Sequence, residues 1–268
     1  MSRSAAATFE HDGAVTRAVL LASPFLPAGA YDPLVDALGR RGWGVVVATT
    51  ATVPDGPEPV RAAYAGCVAR ERPDVVLAHS NAGRYAVAVA AGRPVVLVDA
   101  ALPPESGEAT LAPQALLDHL AGLADADGFL PPWTRWWSDE DLAAVVPDPE
   151  VLAGIRAVAP RLPLTYVRGR LGAPSRWQEA PQAFLALGGT YADELALADR
   201  LGWPTSVLDG ALHLHHLVDP DAVAAAVVDL ASRLGVSPQK RSWSRGEDHG
   251  VIGRGTGTPS TSRSVRSE

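Results

Sequence analysis

One cysteine, Cys67, is all the sulfur chemistry this 268-residue chain offers, so an internal disulfide and a thiolate-rich metal site are both excluded. Cys67 falls in a helical apolar pattern, where a lone thiol packs as a small apolar residue. Positive charge is also scarce. Lys and Arg number 23 against 30 Asp and Glu, a formal net charge of -7, which leaves no general attraction for nucleic acid or anionic membrane surfaces. Nowhere do about 18 uncharged apolar residues follow one another, the length a membrane helix needs, and residues 1–17 hold no apolar stretch of signal-peptide length. These absences lead to the expectation of a cytoplasmic protein, monomeric or homodimeric, with no nucleic-acid or membrane partner. Hydrophobic residues make up 47% of the chain, enough for one large core plus an insertion.

Short β-branched runs alternate with stretches of period-3.6 apolar patterning, which reads as a mainly parallel sheet with crossover helices on both faces. Strands are expected at Ala18–Ala22, Val45–Thr49, Val75–Ala78, Val95–Val98, Ala183–Leu187 and Thr205–Leu208. Helices are expected at about Asp32–Arg41, Pro59–Arg72, from Gly83 to Ala91, Ala192–Leu201 and Pro220–Leu234. The alternation fails between Pro103 and Pro181, a segment rich in proline and tryptophan with helical patches at Pro113–Leu123 and Asp139–Val146. The expected division is therefore a core over residues 1–102 and 182–236, an inserted helical cap over 103–181, and a disordered tail over 237–268, where Ser, Gly, Thr and Arg replace apolar residues.

The stretch with most chemical content is Val75-Val76-Leu77-Ala78-His79-Ser80-Asn81-Ala82-Gly83. An apolar strand runs into a serine flanked by small residues and then into a helix, as in a nucleophile elbow, with Ala78 and Ala82 at the two small positions and Gly83 one step later. Small neighbours are needed because the serine occupies a sharp turn wedged between strand and helix. Ser80 would stand at a helix N-terminus, where the backbone N–H of Asn81 and the helix dipole favour an oxyanion. A serine that only caps its helix is the competing reading.

Three strings together, Ala-His-Ser-Asn-Ala-Gly, Leu-Val-Asp-Ala-Ala-Leu-Pro-Pro and His-Leu-His-His-Leu-Val-Asp-Pro, make residues 15–235 resemble the α/β-hydrolase superfamily. Asp-Ala-x-x-Pro after the nucleophile helix is similar to the branch of plant methyl esterases, hydroxynitrile lyases and their bacterial relatives. The resemblance implies a base on the loop after the last strand, where His213 fits best, with His215 and His216 expected as surface loop histidines. It implies a triad acid that is either Asp99, after the fourth strand, or a carboxylate after the penultimate strand, where only Asp193 and Glu194 stand and both lie late. Asp99 is favoured over Glu194. A second oxyanion donor is expected on the loop after the first strand; Pro24 has no N–H, which leaves Phe25.

No cofactor is implied. A metal held by His213, His215 and His216 lacks a completing carboxylate or cysteine, and none is expected. In the cap, Trp133, Trp136 and Trp137, with Trp177, Phe129 and Tyr166, offer surfaces for a hydrophobic small-molecule substrate. Arg84 and Arg135 are expected to be solvated at the surface. The reading is a serine hydrolase that takes a carboxylic ester, thioester or lactone through an acyl-enzyme on Ser80. Its alternatives are a cyclase, lyase or dehydratase of small-molecule biosynthesis on the same frame, and a non-catalytic small-molecule binding protein.

Overall fold

Six parallel strands form the centre: β1 (Thr16–Leu21), β2 (Trp43–Ala48), β3 (Val75–Ser80), β4 (Val95–Ala100), β7 (Gln182–Leu187) and β8 (Thr205–Leu208). They lie in the order β2-β1-β3-β4-β7-β8. The computed structural model describes residues 15–50 and 53–236, so the expectations for the first residues and the 237–268 tail fall outside the described residues. Every residue of β3, β4 and β7 is buried. That is why these strands read as unbroken apolar runs: helices cover both sides of a parallel sheet.

One face is covered by α2 (Pro57–Glu71), α3 (Gly83–Ala90) and α8 (Ala192–Arg200), which contribute Tyr64, Tyr85 and Ala198 to a continuous apolar layer. The other face carries α1 (Asp32–Gly39) and α9 (Pro220–Arg233), through Leu34, Leu38, Val223 and Val227. Cys67 lies in the first layer, buried as expected, and burial pushes its thiol pKa up.

Between β4 and β7 the chain forms β5 (Glu108–Thr110), α4 (Gln114–Ala121), α5 (Asp139–Val145), α6 (Pro149–Val158), α7 (Leu164–Arg168) and β6 (Arg170–Gly172). None of these joins the six-stranded sheet. β5 and β6 pair antiparallel with each other, Ala109 facing Leu171. This pair and α7 were not legible in the sequence, because three- to five-residue elements carry too little periodicity; the ten-residue α6 was not singled out either. The segment feeds both apolar layers: Leu117, Leu120 and Trp136 join the α2/α3 side, Leu142, Leu152 and Ile155 the α1/α9 side.

The chain places β2 to one side of β1 and β3 to the other. A crevice therefore opens at the carboxyl ends of β1 and β3, the switch point where open α/β sheets place their ligands. Helix α3 has to leave β3 at once and run against the end of β4. A Cβ on Gly83 would strike the Ala101 carbonyl and lie 2.8 Å from Ala100 Cβ.

Gly83→Ala forces backbone apart at this crossing, and the expected loss of stability is at least the roughly 1–3 kcal/mol of an overpacked core, read from urea unfolding midpoints. A midpoint equal to wild type would mean that the crossing is looser than described.

Candidate active site

The sharp turn at the end of β3 places Ser80 in the left-handed region, φ 59°, a conformation that costs a non-glycine residue about 1–3 kcal/mol and persists only where the surroundings enforce it. The enforcement is visible. Ala78 and Ala82 are fully buried against strand and helix, and Gly83 admits no side chain. Ser80 remains 8% exposed, enough to face the crevice.

The neighbouring strand has a matching irregularity. His79 pairs with Val98, yet Ser80 pairs with Ala100, so Asp99 is an extra residue in β4, with φ 43°. Such a bulge re-aims a side chain. Asp99 is completely buried, and a buried carboxylate needs partners on both oxygens. Oδ1 accepts the N–H of Leu187, the last residue of β7, at 2.9 Å. Oδ2 lies 2.6 Å from His213 Nδ1.

His213 belongs to the loop between β8 and α9. The turn after β7 abuts this loop: Gly188 has φ +81°, and a Cβ there would lie 2.7 Å from the Ala211 carbonyl. Nε2 of His213 is 3.1 Å from Ser80 Oγ. Asp99 can only accept, so Nδ1 carries the proton of the neutral ring and Nε2 is free to accept from Ser80. The result is one line of hydrogen bonds, carboxylate to imidazole to hydroxyl, able to remove a proton from Ser80 when it attacks an electrophile.

Glu194 makes no hydrogen bond to His213. It is half-buried at the first turn of α8, burial pushes its pKa up, and both it and the exposed Asp193 border the crevice instead. Tyr191, where a carboxylate after β7 would have stood, packs its ring 5.5 Å from that of His213. One histidine departs from expectation. His216, expected on the surface, is buried and stacks on Tyr31 with ring centroids 5.2 Å apart. Its side chain turns inward because His215–Leu217 is a 3-10 turn packed against the Ala28–Tyr31 turn. Burial pushes its pKa down to about 3. His79, which the motif had not singled out, is also buried and lowered well below the usual value by desolvation. A histidine ending a wholly apolar strand was the available signal, since both ring nitrogens must then find partners inside.

The backbone N–H groups of Asn81 and Phe25 have no acceptor among the described residues, and both residues line the crevice. Asn81 is oriented from the β4–β7 insertion: Tyr166 Oη donates to its Oδ1 at 2.6 Å, and its Nδ2 donates to the Leu111 carbonyl at 3.4 Å.

The crevice is a cavity of about 750 Å³ whose walls include Ser80, His213, Trp133, Trp136, Trp137 and Leu142. Trp177, Phe129 and Tyr166 are not among the lining residues. Trp177 is buried, donating Nε1–H to the Pro104 carbonyl, Phe129 carries Arg161 over its ring, and Tyr166 is spent on Asn81. Arg135 is exposed as expected, whereas Arg84 is half-buried at the cavity wall, where desolvation lowers its pKa. It stands in the first turn of α3, at a cavity partly walled by the segment between β4 and β7, which the linear pattern did not reveal.

No family model and no curated protein matches the chain. Solved structures do. An extracellular α/β-hydrolase from a Paenibacillus species, described as sharing structural and functional homology with tobacco salicylic acid binding protein 2, aligns with TM-score 0.64 at 16% identity over 80% of this chain and 98% of its own. A variant of tomato methylketone synthase I complexed with β-ketoheptanoate aligns at TM-score 0.63 and 12% identity, over 82% and 99%. The enol-lactonase from Burkholderia xenovorans aligns at TM-score 0.58 and 21% identity, over 83% and 94%.

His79 and His216 are neutral in the folded protein but protonate near 6.5 when unfolded, so the unfolded state binds more protons below that pH. Stability is expected to fall as pH drops from about 6.5, each histidine contributing a slope approaching ~1.4 kcal/mol per pH unit. In His216→Phe the urea-derived slope between about pH 6.5 and 4.5 should be shallower than in wild type; an identical slope would show that His216 protonates freely in the fold.

Proposed function

The chain has the α/β-hydrolase fold, and on that premise we propose that it is a serine hydrolase cleaving a carboxylic ester, thioester or lactone of a hydrophobic small molecule. The observation that carries this reading is the line from Asp99 through His213 to Ser80, 2.6 Å and 3.1 Å, laid along the wall of a largely apolar cavity.

His213 Nε2 takes the Ser80 proton as Oγ attacks the substrate carbonyl, a general-base contribution of about 10²–10⁴. The resulting oxyanion is held by the N–H groups of Asn81 and Phe25, each such donor being worth roughly 10²–10³ in rate. His213, now protonated and stabilised by Asp99, gives the proton to the departing alcohol or thiol, leaving an acyl group on Ser80. Water enters, loses a proton to the same nitrogen, attacks the acyl carbon and frees the acid and the serine. Trp133, Trp136 and Trp137 with Leu142 supply the apolar walls that hold the hydrophobic part of the substrate. The assignment to the methyl esterase and hydroxynitrile lyase branch belongs to this proposal and rests on the Asp99-Ala100-Ala101-Leu102-Pro103 string. No helix among the described residues is long and apolar enough to cross a membrane.

Ser80→Ala should lose at least about a thousandfold in kcat/KM on short p-nitrophenyl esters; undiminished turnover would end the proposal. A fluorophosphonate should label wild-type Ser80, and its failure would favour a cyclase, lyase or dehydratase on the same frame, or a binding protein that turns nothing over.

Asp99→Asn replaces the acceptor that sets the His213 tautomer, and should cost roughly 10²–10⁴ in kcat, far more than Glu194→Gln. The opposite ranking would move the acid's role to Glu194.

A further inference from the structure

The His213 line leaves a second buried chain of hydrogen bonds unused. Its centre is His79, the residue before Ser80, only 2% exposed. His79 Nε2 lies 3.1 Å from the backbone carbonyl of His213. His79 Nδ1 lies 3.0 Å from Tyr31 Oη, and Tyr31 Oη accepts the backbone N–H of Ser23 at 2.8 Å. The partners determine where the protons are. A carbonyl only accepts, so Nε2 carries the proton; the neutral ring then accepts at Nδ1 from the Tyr31 hydroxyl, whose oxygen is left to accept from Ser23. Every member is satisfied by one arrangement and only with His79 neutral.

This chain touches two loops around the crevice at their backbones and joins them to the strand that bears Ser80. Ser23 is two residues before Phe25, on the loop after β1. His79 is on the strand that ends in Ser80. The His213 carbonyl is on the base's own residue, and the two imidazoles lie nearly parallel with centroids 4.8 Å apart. No atom of His79 or Tyr31 lines the cavity that holds Ser80 and His213.

We propose that His79, working through Tyr31, is a positioning residue that holds the loop bearing Phe25 and the loop bearing His213 in register about Ser80. The inference rests on the serine-hydrolase reading above and adds to it. His79 transfers no proton to substrate; it sets where the base and one oxyanion donor stand. Buried networks of this kind act as units, so that breaking either end releases the whole.

Three substitutions separate the ends. His79→Gln keeps an amide N–H near Nε2 for the His213 carbonyl, His79→Asn keeps an oxygen near Nδ1 for the Tyr31 hydroxyl, and Tyr31→Phe removes the link to Ser23. Initial rates on a p-nitrophenyl ester, the rate of fluorophosphonate labelling, Tm and near-ultraviolet circular dichroism are measured for each. For His79→Asn and Tyr31→Phe the expected result is a fall in kcat of about tenfold to a hundredfold, the loss of one or two buried hydrogen bonds expressed in the transition state, with KM within about threefold. The acid limb of the pH profile should keep its midpoint. Tyr31→Phe should cost less in His79→Gln than in wild type, because that link is already broken.

Folded variants with kcat within twofold of wild type would overturn the inference, as would losses that add fully or that appear in KM alone. Should a His79 variant fail to fold, Tyr31→Phe decides on its own. A wild-type protein that the probe does not label overturns the hydrolase reading and this inference together, whereas a labelled wild type with full-rate variants overturns only the inference.

Discussion

A carboxylate with no access to water is the constraint on which the rest of the site depends. Asp99 is completely buried, and a charge so placed is tolerated only when its oxygens are met by donors. One donor is the end of β7 and the other is His213. The ends of β4 and β7 and the loop before α9 are thereby tied to a single side chain. Residues separated by more than a hundred positions then meet with no freedom to slide, and Ser80 lies where that arrangement ends.

The same corner stores backbone strain. Ser80 and Asp99 both adopt left-handed conformations on neighbouring strands, and the register slip between them aims their side chains toward one histidine. Such backbone needs close packing to survive, and two glycines permit it: Gly83 where α3 crosses β4, and Gly188 where the turn after β7 meets the loop of His213. The insertion takes part as well. Tyr166 and the Leu111 carbonyl hold the Asn81 side chain, so the segment that covers the crevice also orients one proposed oxyanion donor.

Three histidines in contact are put to different uses by burial alone. His213 remains partly exposed at the cavity, bound to a carboxylate. His79 and His216 are enclosed and deprived of charge by desolvation; His216 stacks on Tyr31, and His79 meets both of their rings edge-on. A neutral imidazole can be donor and acceptor at once, which is what a link between two backbones requires. The fold that arranges this is shared with structures at 12–21% identity, a level at which the backbone path persists although most side chains have changed.

Much of this was legible along the chain. Continuous apolar runs at Val75–Ala78 and Val95–Val98 announce strands covered on both sides, and helices α1, α2, α8 and α9 follow from period-3.6 spacing within two residues or so at their ends. Ser80 stands out because small residues flank it between a strand and a helix, a local requirement that sequence records directly. Which carboxylate would meet His213 could not be read the same way: Asp99 and Glu194 both precede His213 in order, and only a one-residue bulge in β4 turns Asp99 toward it. His216, Arg84 and His79 were hidden for a related reason. Their burial depends on what the insertion and the last loop lay over them, and contacts between segments so far apart in the chain leave no periodicity in either one. Local sterics and hydrophobic patterning belong to the sequence by itself; the pairing of buried polar groups is decided by the tertiary structure, because only there does water leave.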